Sequence, residues 1–265
     1  MIRVQGVEKV YPGGTQALAG VSLEIYAGQF VSLLGPSGCG KSTLLSMIAG
    51  LDSPTNGTIQ VDGNPGVVFQ EAALFPWRSV RDNVAFGLQM KGIDKVTRRS
   101  RAEEALKQVH LSRFADAFPH QLSGGMRQRA SIARALVLDP ALLLMDEPFG
   151  ALDAQTRSLL QEELLNLWQR TRKTVVFVTH SLDEALLLSD RIILLSARPG
   201  KVVADILVDA PRPRDPSRDP ALAGLRQRLS ALLAAEVAAV AAAEYDDQPP
   251  STTRRLLDEE AGSGI

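Results

Sequence analysis

A lysine followed by two hydroxyl residues at the end of a glycine-rich loop can hold phosphate, and Gly35-Pro36-Ser37-Gly38-Cys39-Gly40-Lys41-Ser42-Thr43 has that form. The loop follows an apolar run, Phe30-Val31-Ser32-Leu33-Leu34, and precedes Leu44-Leu45-Ser46-Met47-Ile48-Ala49. That reads as strand, loop and helix, the context a phosphate-binding loop requires. Glycines leave backbone N–H groups free to turn inward around phosphate oxygens, and the helix adds the positive end of its dipole. Lys41 then supplies a point charge for the β- and γ-phosphates, and Ser42 a hydroxyl for Mg²⁺. The same residues in a plain turn would leave the lysine solvated; the flanking elements favour a nucleoside triphosphate.

Four further stretches carry chemistry. Leu142-Leu143-Leu144-Met145-Asp146-Glu147 ends an apolar run with adjacent carboxylates. Asp146 suits Mg²⁺ held through its water shell, because Mg²⁺ takes few direct carboxylates. Glu147 suits a general base for the attacking water. Alone, the pair would equally cap a turn before Pro148. His180 ends the run Val175-Val176-Phe177-Val178-Thr179 and can donate to a γ-phosphate, although a lone histidine at a strand end is more often a turn residue. Gln70, read as the end of the strand Val67-Val68-Phe69-Gln70, can hydrogen-bond water or Mg²⁺, or be a plain loop residue. Finally, Gln121-Leu122-Ser123-Gly124-Gly125-Met126-Arg127-Gln128-Arg129 opens a helix on a serine and two glycines, a second phosphate-binding terminus. One nucleotide needs one phosphate loop. A two-fold dimer, in which this terminus closes on the other copy's γ-phosphate, resolves the excess.

The elements that must position these residues are legible from periodicity. Residues 2–34 alternate apolar runs with turns at Tyr11-Pro12-Gly13-Gly14 and Ala27-Gly28, an antiparallel entry to the fold. Thr58–Gly63 is a strand. From about Val80 to Leu138 the pattern is helical, with Ala102, Ala105, Leu106 and Val109 on the buried stripe of a helix over Thr97–Val109. Apolar strands at 141–145 and 175–179 alternate with helices at Ser158–Gln169 and Ser181–Leu188, which makes a parallel sheet covered on both faces. Arg191–Leu195 and Val202–Val208 add two strands. Pro211, Pro213 and Pro216 mark a linker, and Leu222, Leu225, Leu229, Leu232, Leu233, Val237 and Val240 line one face of a helix over about 220–244. That helix is not notably basic, so it is expected to pack on its own domain rather than on a membrane. The polar tail from Asp246 is expected to be disordered.

Composition bounds the function classes. The chain has 265 residues, enough for a large domain with a subdomain. Its formal net charge of −1 gives no global basic field for nucleic acid. The single cysteine, Cys39, excludes an internal disulfide and a cysteine-based zinc site. No secretion leader is visible, and no apolar run is long enough to cross a membrane, so any membrane role is expected to go through a partner.

Taken in order, these motifs resemble the ATP-binding-cassette (ABC) ATPases. Leu122-Ser123-Gly124-Gly125 is similar to that family's signature motif, Gln70 to its Q-loop glutamine, Ala151-Leu152-Asp153 to its D-loop and His180 to its switch histidine. Tyr11 sits where the family places an aromatic that stacks on adenine. The resemblance covers residues 2–208. It implies an α/β P-loop NTPase: a RecA-like parallel sheet core, an N-terminal antiparallel β subdomain and a helical subdomain inserted at about 72–138. The ATPase domain would span 1–215, followed by a helical extension at 216–245 and a tail at 246–265. It implies ATP held by Tyr11 and Gly35–Thr43, with Mg²⁺ on Ser42, Gln70 and, through water, Asp146. Glu147, His180, Lys41 and Gln70 would act on the reaction. A homodimer would bring Ser123, Gly124, Gly125 and Asp153 in trans.

Phe69–Leu88, Glu147–Asp153 and Leu194–Gly200 resemble the members that import taurine, aliphatic sulfonates and nitrate, and Phe86–Ile93 is nearest the taurine branch. This implies a peripheral subunit on the cytoplasmic face of the inner membrane, energising uptake of taurine or an aliphatic sulfonate, with nitrate or another solute as the alternative. Two permease subunits would contact residues 70–88, and a periplasmic solute-binding protein would act indirectly. Trp77 either meets a coupling helix there or packs in the helical subdomain. The segment Asn64-Pro65-Gly66 is short for the family, so a clipped hairpin is expected. The rival class is a soluble cassette ATPase acting on nucleic acid or ribosomes. Such relatives usually bring a second cassette, coiled-coil arms or a basic surface.

Overall fold

The computed structural model describes residues 1–150 and 152–246. Ala151 of the segment Ala151–Asp153 lies outside the described residues, and so does the tail except Asp246. The first part contains strands β1 (Ile2–Val10), β2 (Gln16–Ile25), β3 (Phe30–Leu34), β4 (Asn56–Val61) and β5 (Gly66–Val68), with helix α1 (Lys41–Ile48) after β3. Helices α2 (Val80–Met90), α3 (Lys95–Gln108) and α4 (Gly124–Leu136) follow. Then come β6 (Leu142–Asp146), α5 (Ala154–Thr171), β7 (Thr174–Thr179), α6 (Leu182–Leu188), β8 (Arg191–Leu195), β9 (Val202–Leu207) and α7 (Pro220–Asp246).

Two sheets result. One is antiparallel in the order β2-β1-β4; the other runs β5-β6-β7-β3-β8-β9, parallel except for the edge strand β9. Every residue of β3, β6 and β7 is buried, as their unbroken apolar runs require of strands covered on both faces. On one face, α1 and the antiparallel sheet share a core through Ile2, Leu18, Leu33, Leu44 and Leu144. On the other, α2–α5 pack through Val84, Leu106, Ala130, Leu164 and Trp168 onto Phe30 and Phe177. The stripe of α3 is buried as its spacing predicts. Among the described residues, no helix is long and apolar enough to cross a membrane.

Helix starts are set by side-chain caps that periodicity places late. α3 begins at Lys95 because the Asp94 carboxylate accepts from the N–H groups of Val96 and Thr97. α5 begins four residues before the expected Ser158, since Asp153 accepts from Thr156 N–H. β4 and β5 correct the expected hairpin. β4 pairs antiparallel with β1 while β5 pairs in parallel with β6, so residues 62–65 cross between sheets.

The proline-marked linker is also corrected: it is an anchored strap. Arg214 is 6 % exposed, and its guanidinium donates to the carbonyls of Leu186, Ser189, Val208 and Ala210. Burial, then the neighbouring Arg212, pushes its pKa down to about 10, so it stays cationic at neutral pH. Arg212 donates to Asp190 and the Leu188 carbonyl and lies over the Trp168 ring. Beyond the strap, Leu222 and Leu229 of α7 are buried against Leu34, Leu186 and Leu194, as the apolar face predicts; Val237 is exposed. Hydrogen bonds to a charged group contribute about 1.5–3 kcal/mol net, so Arg214→Met should cost at least that much. At about 2–4 °C per kcal/mol, calorimetry should find melting lowered by roughly 3–12 °C; an unchanged transition would mean the strap contributes nothing.

Candidate functional site

Sheet order brings the site together. β6, β7 and β3 are neighbours, so the residues following them emerge at one carboxyl edge, where parallel sheets bind ligands. A cleft of about 340 Å³ opens there, lined by Tyr11, Thr15, Ala17, Ser37, Gly38, Gly40, Lys41, Ser42, Thr43, Gln70, Glu147 and Arg198. Gly40 caps α1 at φ +95°, and a Cβ there would sit 2.6 Å from Leu18 Cδ2 and 2.9 Å from the Ala17 carbonyl. Only glycine allows that approach.

Lys41 is 5 % exposed and donates to the carbonyls of Gly35 and Pro36, both at 2.8 Å. It forms no ion pair among the described residues, so a buried cation faces the cleft without an anion. The Ser42 hydroxyl donates to Asp146 Oδ1 at 3.0 Å, pairing the two oxygens expected to serve a metal. Burial pushes the Asp146 carboxyl above its ordinary range, and the adjacent Glu147 adds to the rise against the Ser42 hydrogen bond. Glu147 stands at φ +42°, a left-handed conformation costly for a non-glycine residue and typical of functional sites. His180 Nδ1 lies 3.1 Å from Glu147 Oε2; because a carboxylate only accepts, the ring nitrogen donates. Tyr11 is partly exposed at the cleft wall, with its hydroxyl 3.2 Å from Thr43 Oγ1 and Lys9 Nζ 5.0 Å above its ring.

Several expected residues do not line the cleft. Gly35 and Pro36 contribute the carbonyls that hold Lys41. Cys39 turns its thiol inward, where burial pushes it up and keeps it inert at neutral pH. Ser123, Gly124, Gly125 and Asp153 are elsewhere too: Ser123 caps α4 by accepting from Met126 N–H, and the Asp153 carboxyl is held below its usual range by its hydrogen bonds with Thr156. Within one chain, the second terminus therefore lies outside this cleft.

Gln70 lines the cleft but is not in a strand, because β5 ends at Val68. Its segment hangs from α4: Gln128 donates to the Phe69 carbonyl, and Arg134 to those of Ala72 and Ala73. Buried Asn83 pins the next turn, donating to the carbonyls of Phe75, Arg78 and Ser79 while accepting from Phe75 N–H. That turn presents Trp77, 71 % exposed and set against Phe75, so packing in the subdomain core is ruled out for it. Sequence reading missed Asn83, Gln128 and Arg134 as supports, and Thr15, Ala17 and Arg198 as lining. Arg198 carried a signal only as part of the turn Ala197–Gly200. Its place depends on β8 lying beside β3, which strand spacing alone does not reveal.

Comparisons with known proteins fit this geometry. A family model described as "ABC transporter" matches residues 18–150. An uncharacterized ABC transporter ATP-binding protein of Methanocaldococcus jannaschii is 51 % identical over 81 % of this chain and 84 % of its own length. The taurine import ATP-binding protein TauB of Rhizobium johnstonii is 48 % identical over 84 % of this chain and 91 % of its own. The bicarbonate transport ATP-binding protein CmpC of Synechococcus elongatus is 50 % identical over 80 % of this chain, which matches 34 % of that longer protein. Among solved structures, the dimeric post-hydrolysis state of the ATP-binding cassette MJ0796 bound to ADP and Pi superposes with TM-score 0.75 at 38 % identity, covering 79 % of this chain and all of that one.

The buried Asp146 yields a prediction of its own. Asn keeps the acceptor for Ser42 but removes the charge, so Asp146→Asn should stabilise the nucleotide-free protein by on the order of 1 kcal/mol, raising its melting temperature by about 2–4 °C. The same variant should lose most of the extra stabilisation that ATP with Mg²⁺ gives the parent. Scanning calorimetry with and without both ligands reads the two effects; a lowered nucleotide-free transition would refute the account of Asp146.

Proposed function

Because the chain belongs to the ABC transporter family and is an ATPase of that family, we propose that it is the peripheral ATP-hydrolysing subunit of an importer on the cytoplasmic face of the membrane. The proposed cargo is a small anionic or zwitterionic solute, taurine or an aliphatic sulfonate. One observation carries the mechanistic part: the site is half built. A buried, anion-free Lys41 lies in a cleft with Tyr11 and Glu147, while the Ser123–Gly125 terminus lies outside that cleft.

In this reading Tyr11 stacks on adenine, and the Gly35–Thr43 backbone wraps the phosphates with Lys41 at the β- and γ-groups. The Ser42–Asp146 pair fits Mg²⁺, which prefers hard oxygens and few carboxylates; Gln70 would complete the set, and the ion would offset phosphate charge when bound. Glu147 takes the proton of the attacking water, and its bond to His180 holds the carboxylate in position. Lys41 and His180 stabilise the charge that develops on the γ-phosphate. Ser123, Gly124 and Gly125 of a second copy, followed by its Asp153, close over that phosphate. Hydrolysis reopens the dimer and moves the Gln70–Leu88 segment against two permease subunits, which a periplasmic binding protein loads.

Two variants test the paired site. Glu147→Gln should bind ATP, run as a dimer in size-exclusion chromatography and lose at least ~10²-fold in turnover, the contribution of a positioned general base. Ser123→Arg should bind nucleotide as a monomer and fail to hydrolyse it. Normal hydrolysis by a monomeric Ser123→Arg protein would refute the paired site.

Bicarbonate is the second cargo reading, favoured by the likeness to CmpC. With the assembled complex in vesicles, taurine should stimulate ATP turnover and bicarbonate should not; the reverse would exchange the two readings. Trp77→Ala should leave ATPase activity of the isolated subunit within about twofold and reduce solute uptake by the assembled complex tenfold or more, a loss of hot-spot size. Equal loss of both activities would detach Trp77 from the permease contact.

A further inference from the structure

Arg198 lines the nucleotide cleft, is exposed, and makes no hydrogen bond or ion pair among the described residues. Its position relative to the chemistry follows from strand order. Glu147 and His180 follow β6 and β7, which lie on one side of β3 and its phosphate loop, whereas Arg198 follows β8 on the other side. The turn that carries it docks on the start of β2: Gly200 N–H donates to the Ala17 carbonyl at 2.9 Å, and Ala19 N–H donates to the Gly200 carbonyl at 3.0 Å. Gly200 also lies so close to the phosphate loop that a Cβ would collide with the Cys39 carbonyl. Arg198 is thus held at the end of the cleft walled by Thr15 and Ala17, away from the base.

The turn is closed and oriented from behind. The Ser196 hydroxyl accepts from Lys201 N–H, and Ser196 N–H donates to the Lys201 carbonyl. Ala197 N–H, immediately before the arginine, donates to Glu236 Oε2 of α7 at 2.8 Å. Glu236 makes no ion pair among the described residues, so this carboxylate of the C-terminal helix serves one backbone amide beside the site. A second tie, Arg226 to Asp183 at 3.0 Å, fixes α7 to α6.

Building on the reading of this cleft as the ATP site, we infer that Arg198 is a second cationic contact for the nucleotide, at its ribose and α-phosphate end, and that Glu236 is its positioning residue. Lys41 serves the terminal phosphates from within; Arg198 would serve the nucleoside end from the rim with a charge-assisted hydrogen bond. The C-terminal helix then enters the site through one amide.

The test uses the full chain and two probes, ADP and a non-hydrolysable ATP analogue, each with Mg²⁺, followed by titration calorimetry. Arg198→Ala should weaken both probes by the same factor, about tenfold, and Arg198→Lys by about threefold or less. Nucleotide-free melting should not change, and in turnover KM should rise while kcat holds, the pattern of an interaction made equally in ground and transition states. Glu236→Ala should weaken both probes about threefold and add nothing in an Arg198→Ala background. Binding within twofold of the parent for Arg198→Ala, or a loss confined to the ATP analogue, would overturn the contact. Additive losses would overturn the positioning by Glu236. Failure of the parent chain to bind either probe would refute the nucleotide site itself, an outcome separate from both.

Discussion

A buried ammonium without an anion is the constraint on which the rest of this molecule depends. Lys41 sits at 5 % exposure, and among the described residues it donates to two carbonyls and the Cys39 sulfur of its own loop. Keeping it there requires the loop to curl back on itself, which requires Gly40 in the left-handed region and a helix starting at once behind it. The helix in turn is clamped between two sheets, its Leu44 shared with Leu18 and Leu33. A cation buried this far is suited to a polyanion, whose charge would offset its desolvation in the proposed nucleotide complex.

How much of this was legible in the sequence depends on whether the information is local. β3, β6 and β7 are largely apolar runs followed by Gly35, Glu147 and His180, and those runs dictate both the buried strands and the edge at which the polar residues emerge. Helix starts were displaced wherever a capping carboxylate acts before the apolar period begins, as at Asp94 and Asp153. The larger misreadings concern destinations. Asn64–Gly66 looked like a hairpin because a turn between two strands reads alike whether they pair with each other or with different sheets. The prolines near 211–216 looked like a loose linker because nothing local shows that Arg214 finds four carbonyls. Arg198 escaped notice for the same reason: β8 is remote in sequence from β3 and adjacent in the sheet.

Helix α4 joins two features that the sequence presents as separate motifs. Its N-cap and first turn carry Ser123, Gly124 and Gly125, and its second and last turns hold the Gln70 segment through Gln128 and Arg134. A helix of 13 residues is about 20 Å of stiff rod. Any movement that brings its N-terminus to a second copy's phosphate must therefore carry residues 69–73 with it. Asn83 extends the linkage to the exposed Trp77 by fixing the turn between them. In the proposed dimer, the path from the closing terminus to the aromatic surface would run through these side-chain bonds to the backbone of residues 69–79.

The same logic applies at the opposite end of the chain, and it explains why the extension is helical and yet half bare. Between Leu222 and Leu229, α7 is held by burial against Leu34, the last residue of the strand that leads into the phosphate loop, and Leu194, its register partner on β8. Past Leu233 the apolar contact fades: Val237 is exposed, and the polar contact of Glu236 with Ala197 takes over. Apolar burial is non-directional and tolerates small shifts, whereas one carboxylate on one amide does not. The first half of α7 is thus held by apolar burial and by the Arg226–Asp183 pair, and its second half meets the Ala197–Gly200 turn through Glu236; that turn lies, through Gly200, against the back of the loop that holds Lys41.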